Sequence, residues 1–425
     1  MASVTIPAER YTSEGFFARE LDRLWPRVWQ LACPLDAVAN PGDYHEHRIG
    51  PYSVLVVRGH DGELRAFQNA CRHRGSAVCV GSGSGLDQLR CPFHGWVYGL
   101  DGELREVPSR KQFGIANDGM GLVPASVGTW GPLVFVNLDV HAEPLDEFLE
   151  VLPTETEWAR LDEFACLAVV STEAQCNWKT LIEGFSETYH VQGIHREMLG
   201  MCDDVNGPQD IWGRHGRLVQ PYGLSSPRLG RPLDDQQVRE AFVAVMGVRV
   251  GADMADGAAG PCPRVADGET LRDVLARMIV ERNLARGVDL SSYSVAQLLD
   301  MQQYNLFPNI TILVFSDMVQ VVRARPGASP TESVMDVMAF ERRPAAQQDA
   351  PRTKPVFVDL DPAAQPPFGL VINQDVANFA RAQRGMHQPG FTHLVVAADE
   401  ECRVVNLHRN LERALGITPT ELTPV

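Results

Sequence analysis

Residues 177–195 read NWKTLIEGFSETYHVQGIH, and the acidic and histidine residues of this segment are the starting point for predicting the fold and the chemistry. On a continuous helix, Glu183, Glu187 and His190 would share one face, because they are spaced by four and three residues. An amphipathic helix normally places apolar side chains at such positions. The pattern is poor for a hydrophobic core and indicates a polar face.

Two histidines in this stretch can meet one metal ion if the helix ends or distorts near them. His195 lies about 140° further round an ideal helix than His190. Gly193, between them, permits such a distortion. Two imidazoles and one carboxylate on one face of an ion form the facial triad of non-haem Fe(II) oxygenases. Taken alone, these residues are also compatible with a polar helix that lines a cleft without a metal.

Length, charge and cysteine content limit the possible classes of protein. The 425 residues, 44% of them hydrophobic, suffice for two or three domains with a sizeable core. The formal net charge of -16 argues against nucleic acid or an anionic membrane as the main partner. The sequence displays no signal peptide and no apolar run that could span a bilayer, which predicts a cytoplasmic protein. Nine cysteines without a secretion signal favour metal ligation over a disulfide framework.

The sequence predicts a short N-terminal segment, an all-β module and a larger α+β domain. Residues 13–25 predict a packing helix, which Pro26 should end. From about residue 29 to residue 139, β-forming runs alternate with turn signals such as HDGE and GSGSG. Strand-like segments near 310–323 and 332–341, with helices between and after them, indicate the α+β domain. We predict the bounds 1–28, 29–140 and 141–425 for the three parts.

Two short loops inside the β module each carry one cysteine and one histidine. Cys71-Arg-His73 is followed, after seventeen intervening residues, by Cys91-Pro-Phe-His94. Two thiolates and two imidazoles fit Zn(II) or a Rieske [2Fe–2S] cluster, in which histidines hold one iron and cysteines the other. A C2H2 zinc finger pairs cysteine with cysteine, whereas each loop here offers one residue of each kind, as the cluster requires. Structural zinc and unrelated core thiols are the alternatives.

With these motifs the chain resembles the α subunit of Rieske non-haem iron ring-hydroxylating oxygenases. The resemblance covers most of the chain. It rests on CRHRG, CPFHGW, GPLVFVNLD at 131–139, NWK followed by ETYH and a second histidine, and QYNLFPN at 303–309. It implies an α+β fold, with an all-β Rieske domain inserted near the N-terminus of a helix-grip catalytic domain, in which an antiparallel sheet surrounds a long helix. The N-terminal helix would pack on the catalytic domain.

The resemblance also implies roles for individual residues. Cys71, His73, Cys91 and His94 would bind the [2Fe–2S] cluster, and His190 and His195 would bind the mononuclear Fe(II). Glu187 would be the carboxylate that links the two metal centres between neighbouring subunits. The third iron ligand is a downstream carboxylate, for which the candidates are Asp300, Asp317, Asp336, Asp359, Asp361 and Asp375.

Asp375 is the preferred third ligand. It lies in VINQDVANFARAQRGM, a predicted helix with Val371, Ile372, Phe379 and Ala382 on its apolar side, and this segment is similar to the ligand-bearing helix of the family. Asp317 follows a strand-like run and is interpreted as a turn residue, although it stays an alternative. The other interpretation of Asp375 is an acid on a solvated helix surface.

The pocket itself is predicted only in outline. Residues 251–264, GADMADGAAGPCPR, indicate loops over the pocket mouth, and a helix should follow near 269–286. Five apolar residues are candidates for the pocket wall, although each also suits the core. They are Met198, Met201, Leu306, Phe307 and Phe315.

The implied function is that of a terminal oxygenase, which uses O2 and electrons from a ferredoxin, a flavin reductase or both. The sequence has no dinucleotide-binding fingerprint and no second iron–sulfur motif, so the electron donor is a separate protein. The family assembles as a head-to-tail homotrimer, with or without a small β subunit. The favoured substrate is a hydrophobic aromatic or alicyclic ring, mono- or cis-dihydroxylated, as in aromatic hydrocarbon catabolism.

Two other functions stay open at this point. The same centre can carry out N- or O-demethylation, or oxidise a quaternary ammonium compound, and Glu187 in place of the more common aspartate favours that branch. A Rieske electron-transfer protein without oxygen chemistry would explain the Cys-His loops. It would leave His190, His195 and Asp375 without a role.

Overall fold

The structure is a computed structural model that describes residues 3–114, 119–251, 265–361 and 368–418. Of the predicted pocket-mouth loops at 251–264, all but Gly251 lie outside the described residues. No helix in the described part of the chain has the length and apolar character needed to cross a membrane.

The N-terminal segment contains the predicted helix. Its elements are β1 (Ser3–Pro7), α1 (Glu9–Thr12) and α2 (Glu14–Arg23). Ser13 caps α2, because its side chain accepts a hydrogen bond from the N–H of Phe16. The apolar face of α2 includes Phe16 and Phe17, both buried.

The following module is all-β, as predicted. Its strands are β2 (Gln30–Pro34), β3 (Tyr44–Ile49), β4 (Tyr52–Arg58), β5 (Leu64–Gln68), β6 (Ser82–Gly83), β7 (Leu89–Arg90), β8 (Val97–Tyr98), β9 (Leu104–Glu106), β10 (Pro124–Trp130) and β11 (Leu133–Asn137). Seven strands form one sheet in the order β2-β11-β10-β5-β4-β3-β6, and β7-β8-β9 form a separate three-stranded sheet. Strand β11 is fully buried, as its sequence GPLVFVNLD predicts. The small sheet carries the second Cys-His loop between β7 and β8.

The rest of the chain mixes helices and strands. Its elements are α3 (Leu145–Leu149), α4 (Leu152–Glu155), β12 (Phe164–Ala174), α5 (Trp178–Gly184), α6 (Val191–Ile194), β13 (Gln209–Trp212), β14 (His215–Gln220), α7 (Asp235–Met246), α8 (Leu271–Ala285), α9 (Val295–Leu299), β15 (Met301–Leu306), β16 (Ile310–Val314), β17 (Met318–Pro326), β18 (Ser333–Arg342), β19 (Val356–Asp359), α10 (Leu370–Met386), β20 (His393–Ala397) and α11 (Cys402–Leu415). The predicted helix near 269–286 is α8, and the predicted strands are β16, β17 and β18.

An eight-stranded sheet organises this domain, in the order β13-β14-β15-β16-β17-β18-β12-β19. Its strands pair antiparallel, except that β19 runs parallel to β12. Helix α5 packs on β17 and β18, α10 packs on α5 and β12, and α11 contacts β13 and β14. Strand β1 pairs with β20 and thereby joins the N-terminal segment to this domain. The predicted α+β fold is confirmed.

Candidate metal centres

The segment that carries the predicted iron ligands is not one continuous helix. Helix α5 ends at Gly184 and a turn leads into α6, so the predicted helical stripe of Glu183, Glu187 and His190 is wrong. Helix α6 ends at Ile194, directly after Gly193, and His195 has the non-helical angles φ -113° and ψ 49°, so the predicted end of the helix between the two histidines is confirmed. The break at Gly184 precedes both histidines and is a second interruption, which the sequence analysis did not predict.

The carbonyl oxygen of Phe185 explains why α5 ends. Asn305 and Thr311 donate side-chain hydrogen bonds to this oxygen at 2.9 and 3.2 Å, and Gln303 donates to it as well. In a continuing helix the same oxygen would accept the N–H of the residue four positions later. Side chains of the sheet therefore supply the hydrogen bonds to the Phe185 carbonyl oxygen that a further turn of helix would have supplied.

The three predicted iron ligands lie close together. His190 and His195 flank α6 as its N-cap and C-cap residues, and Asp375 lies on the buried face of α10. Their ligand atoms all lie within 4.8 Å of one another. The Oδ1 atom of Asp375 is 2.9 Å from Nε2 of His195 and 3.7 Å from Nε2 of His190. Two imidazoles and one carboxylate at this separation fit a facial triad for Fe(II).

The outer nitrogen of each imidazole is held by an oxygen. Nδ1 of His190 donates to Oε1 of Glu187 at 2.6 Å, and Nδ1 of His195 donates to Oε1 of Gln374 at 2.6 Å. Glu187 also accepts the backbone N–H of His190 at 3.0 Å. Because these oxygens accept a hydrogen bond, each Nδ1 carries the proton and each Nε2 keeps its lone pair for a metal. Gln374 was missed from the sequence, although it precedes Asp375 in the quoted Gln-Asp pair.

Helix α10 shows a more polar buried face than predicted. Ile372, Asp375, Phe379 and Gln383 are its buried residues, whereas Ala382 is exposed, so the prediction for Ala382 is wrong. The side chain of Gln383 is buried, and its Oε1 accepts the backbone N–H of Asn177, the residue that caps α5.

The surroundings of Asp375 and Asp317 favour Asp375 as the third iron ligand. A Cβ at Gly184 would lie only 2.7 Å from the ring of Phe379, so glycine lets α10 approach α5 closely. Asp317 follows β16 in a turn, as predicted. Its carboxylate accepts hydrogen bonds from Nε and Nη2 of Arg249 at 2.9 and 2.6 Å. The countercharge of Asp317 is therefore a guanidinium.

The two Cys-His loops have the same backbone geometry. The N–H of Gly75 donates to the carbonyl of Cys71 at 2.9 Å, and the N–H of Gly95 donates to the carbonyl of Cys91 at 3.1 Å. The φ angles of these glycines are +77° and +74°, a region that L side chains rarely adopt. The sequence therefore needs glycine at both positions to close the loops.

The four side chains of these loops face one another. The rings of His73 and His94 have centroids 4.5 Å apart, and Nδ1 of His73 is buried without a hydrogen-bond partner in the described part of the chain. Trp96 stacks on His73 at 5.2 Å and the hydroxyl of Tyr98 lies 3.2 Å from Sγ of Cys71. A buried imidazole nitrogen without a partner, beside two buried thiols and a second imidazole, fits a Rieske cluster.

A mostly apolar cavity of about 270 Å³ adjoins the His190–His195–Asp375 group. Four aromatic side chains contribute to its wall, namely Phe185, Tyr222, Phe315 and Phe368. Of the candidate lining residues, Met198 and Phe315 face this cavity. Met201, Leu306 and Phe307 do not line it and belong to the hydrophobic clusters of the domain.

Glu187 also faces a second, open cleft on its other side. Glu183 and Glu401 line this cleft with it. The carboxylate of Glu183 accepts hydrogen bonds from the hydroxyl of Tyr11 at 2.9 Å and from Nε2 of His408 at 2.8 Å. Burial raises the pKa of Glu183 to about 8 and that of Glu401 to about 7, and the charge of Glu187 adds to both shifts. Glu187 thus connects an acidic surface cleft with the cavity at the predicted iron site.

Two protein-family models match separate parts of the chain. Residues 28–126 match the Rieske [2Fe-2S] domain, and residues 161–417 match the catalytic domain of the ring hydroxylating alpha subunit. The carnitine monooxygenase oxygenase subunit of Escherichia coli (strain K12) is 31% identical over 228 residues, 52% of this chain and 60% of that protein. The chloroplastic choline monooxygenase of Spinacia oleracea is 34% identical over 199 residues, 45% of each chain. The chain thus matches about half to three fifths of the length of these curated relatives.

Solved structures share the fold over nearly the whole chain. A quaternary ammonium Rieske monooxygenase in complex with L-carnitine has a TM-score of 0.69 at 16% identity, covering 97% of this chain and 95% of that one. Naphthalene 1,2-dioxygenase with bound indole has a TM-score of 0.67 at 18% identity, covering 98% and 94%. Together with the catalytic-domain match over residues 161–417, this places the chain in the family of Rieske ring-hydroxylating oxygenase α subunits.

Proposed function

We propose that this chain is the terminal oxygenase component of a Rieske oxygenase, an oxidoreductase that incorporates oxygen from O2 into a small organic substrate. The observation that supports the proposal is the presence of two separate sets of metal-ligating side chains in one chain. His190, His195 and Asp375 would hold the mononuclear iron, beside the substrate cavity. The four residues of the Cys-His loops, Cys71, His73, Cys91 and His94, would hold the cluster. When bound, the cluster supplies electrons and the mononuclear iron supplies the site of O2 activation.

The protein's own residues prepare the iron site. Glu187 and Gln374 fix the protonation of the two imidazoles, so that both Nε2 atoms turn towards Asp375. The apolar cavity wall holds the substrate beside these atoms and limits its contact with water. Binding and orientation of the substrate are therefore the task of the cavity residues.

Electron delivery would involve other chains. A ferredoxin, a flavin reductase or both would reduce the cluster, and NAD(P)H would be their source of electrons. We propose a head-to-tail homotrimer in which His94, exposed at the tip of its loop, meets the Glu187 cleft of the next subunit. Glu187 would then hydrogen-bond to His190 of its own chain and to His94 of the neighbour.

For the substrate, we propose a quaternary ammonium compound, ahead of the ring compound that the sequence favoured. Support comes from the relatives at 31 to 34% identity, which are named for carnitine, glycine betaine and choline. The four aromatic rings on the cavity wall suit a trimethylammonium group, which binds to aromatic faces by cation–π attraction. Ring hydroxylation is the second candidate, because the cavity is mostly apolar and naphthalene 1,2-dioxygenase shares the fold.

Iron content and O2 uptake of the purified protein test the proposal. We expect about three irons per chain and a Rieske-type rhombic EPR signal after reduction with dithionite. Quaternary ammonium compounds should stimulate O2 uptake in the presence of an electron donor, and aromatic hydrocarbons should stimulate it less. About two irons per chain would indicate an electron carrier without oxygen chemistry, and zinc without the EPR signal would contradict the proposal.

The substitution Glu187→Ala should separate metal binding from turnover. We expect both metal centres to stay loaded, because Glu187 contacts Nδ1 and the backbone N–H of His190 and not Nε2, the nitrogen that would bind the metal. Product formation should fall by about 10- to 100-fold, the usual effect of removing an outer carboxylate. Stopped-flow oxidation of the reduced cluster by O2 and substrate would measure the change.

The matched control for this substitution is Glu401→Ala. Glu401 lines the same cleft as Glu187, but its side chain accepts the N–H of Ala397 and does not contact His190. We expect near-normal turnover in this variant. Normal turnover in Glu187→Ala would remove the proposed role of Glu187.

A further inference from the structure

We propose that the substrate cavity selects a quaternary ammonium cation that carries a neutral hydrogen-bonding group and no carboxylate, and that Gln320 determines this selectivity. The inference rests on the proposed function and narrows it, since the similar proteins named for carnitine and glycine betaine act on zwitterions that carry a carboxylate.

Three glutamines on the sheet contribute side-chain amide groups to the cavity wall. They are Gln220 on β14, Gln303 on β15 and Gln320 on β17. Residue 313 pairs with Gln303 on one side and with Gln320 on the other. Paired residues on neighbouring strands point to the same face of a sheet, so these side chains form a row along the cavity.

Two of the glutamines are already held by the protein. The amide nitrogen of Gln303 donates to the carbonyl of Phe185, and that of Gln220 donates to Sγ of Cys202 at 3.2 Å. Gln320 is half-buried and has no hydrogen-bond partner among the described residues. Its amide is therefore available to a hydroxyl or carbonyl group of the substrate.

The charges around the cavity disfavour a carboxylate. Lysine and arginine are absent from the described residues that line it, whereas the carboxylates of Glu187 and Asp375 are present. The charge of Fe(II) would be matched by these two carboxylates, so a substrate carboxylate would lose its water without gaining an unmatched cation, and an unpaired charge is costly to bury. A quaternary ammonium group needs no hydrogen-bond acceptor and is attracted to the aromatic rings.

The guanidinium of Arg249 lies near the cavity but is not available to pair with a substrate carboxylate. It lies 4.4 Å from the centroid of the Phe315 ring, on the wall of the cavity. Its side chain is only 1% exposed, and Nη2 donates to Asp317 at 2.6 Å. The charge of Arg249 is therefore matched inside the protein and is covered by the wall.

Equilibrium binding to the iron-loaded protein tests the inference with three probes of similar size. Choline and glycine betaine share the trimethylammonium group, and differ in a hydroxymethyl group against a carboxylate. The compound 3,3-dimethylbutan-1-ol is the uncharged isostere of choline. By calorimetric titration we expect choline to bind about tenfold more tightly than either other compound, which corresponds to about 1.4 kcal/mol. The isostere lacks the charge that aromatic rings attract, and glycine betaine carries a carboxylate for which the described cavity residues offer no cation.

Gln320→Arg should reverse the preference for choline. A guanidinium at this position would pair with the carboxylate of glycine betaine and repel choline, so we expect glycine betaine to become the tighter ligand by about tenfold. Gln388→Arg places the same charge at an exposed position after α10 and should leave both affinities unchanged. Iron content and circular dichroism would show that each variant is folded.

The possible results have distinct meanings. Equal or tighter binding of glycine betaine to the natural protein would overturn the inference and leave the proposed ammonium oxidation in place. Binding of the isostere alone, or of none of the three probes, would contradict the ammonium function as well. An unchanged preference in Gln320→Arg would remove Gln320 as the selecting residue.

Discussion

Asp375→Asn is expected to lower the iron content from about three to about two per chain and to reduce product formation by more than about 100-fold, since even changes outside the ligand shell cost 10- to 100-fold. Among the described residues, one group places His190 and His195 at ligand distance from a carboxylate, and that carboxylate belongs to Asp375. An amide lacks the negative charge that completes a facial triad for Fe(II). The Rieske EPR signal should be unchanged, because the cluster is held by other residues.

Asp317→Asn is the matched control. Asp317 and Asp375 are both 3% exposed, and both were candidates for the third ligand. Because Asp317 binds Arg249, its substitution should lower the free energy of unfolding but keep all the iron. If Asp317→Asn lost the mononuclear iron and Asp375→Asn kept it, the assignment of the third ligand would be wrong. Iron analysis after gel filtration distinguishes these outcomes.

The two Cys-His loops, whose side chains the structure brings together, were predictable from sequence because their signal is local. Cys71 and His73, like Cys91 and His94, lie two or three residues apart, and the glycine that closes each loop follows within two residues of the histidine. Such spacing fixes geometry before any tertiary contact forms. Tyr98 was not predictable in the same way, because a tyrosine on a short strand gives no sign that its hydroxyl will reach Sγ of Cys71.

The end of α5 was not predictable from sequence. Helical periodicity continues through Glu187 and His190, and Gly184 is only a weak stop signal, because a single glycine inside a helix costs about 1 kcal/mol and is tolerated. The helix ends because side chains on β15 and β16, more than 100 residues away in sequence, donate hydrogen bonds to the carbonyl oxygen of Phe185. Long-range hydrogen bonds of this kind override local preference. The same applies to the cavity wall, whose glutamines come from three separate strands.

The N-terminal helix contributes more than the predicted packing. Glu20 on α2 and Lys179 on α5 form an ion pair with Oε1 and Nζ 2.7 Å apart, and both side chains are fully buried. Trp178 donates its indole N–H to the other oxygen of Glu20 at 3.1 Å. The ammonium group also lies 4.9 to 5.5 Å from the ring centroids of Tyr11, Phe16 and Trp178. The pair therefore ties the N-terminal segment to the helix that leads into the iron site.

Lys179→Met is expected to lower the free energy of unfolding by about 3–5 kcal/mol, the usual cost of leaving a buried charge without its partner. Burial raises the pKa of Glu20 and lowers that of Lys179, so each group depends on the other to stay charged. Without Lys179, the pKa of Glu20 should rise further above its ordinary value of 4.5. Urea unfolding at several pH values would measure the loss.

The pH dependence and a double variant make this expectation specific. A carboxyl group whose pKa is raised in the folded state favours folding at low pH, and this advantage is lost as the pH rises through the folded pKa. The deficit of Lys179→Met should therefore shrink below about pH 4.5, where Glu20 is neutral. Adding Glu20→Gln should recover much of the stability at pH 7, since an amide can still accept the Trp178 hydrogen bond without burying a charge. A double variant no more stable than Lys179→Met would mean that lost packing of the lysine stem, rather than the stranded carboxylate, causes the deficit.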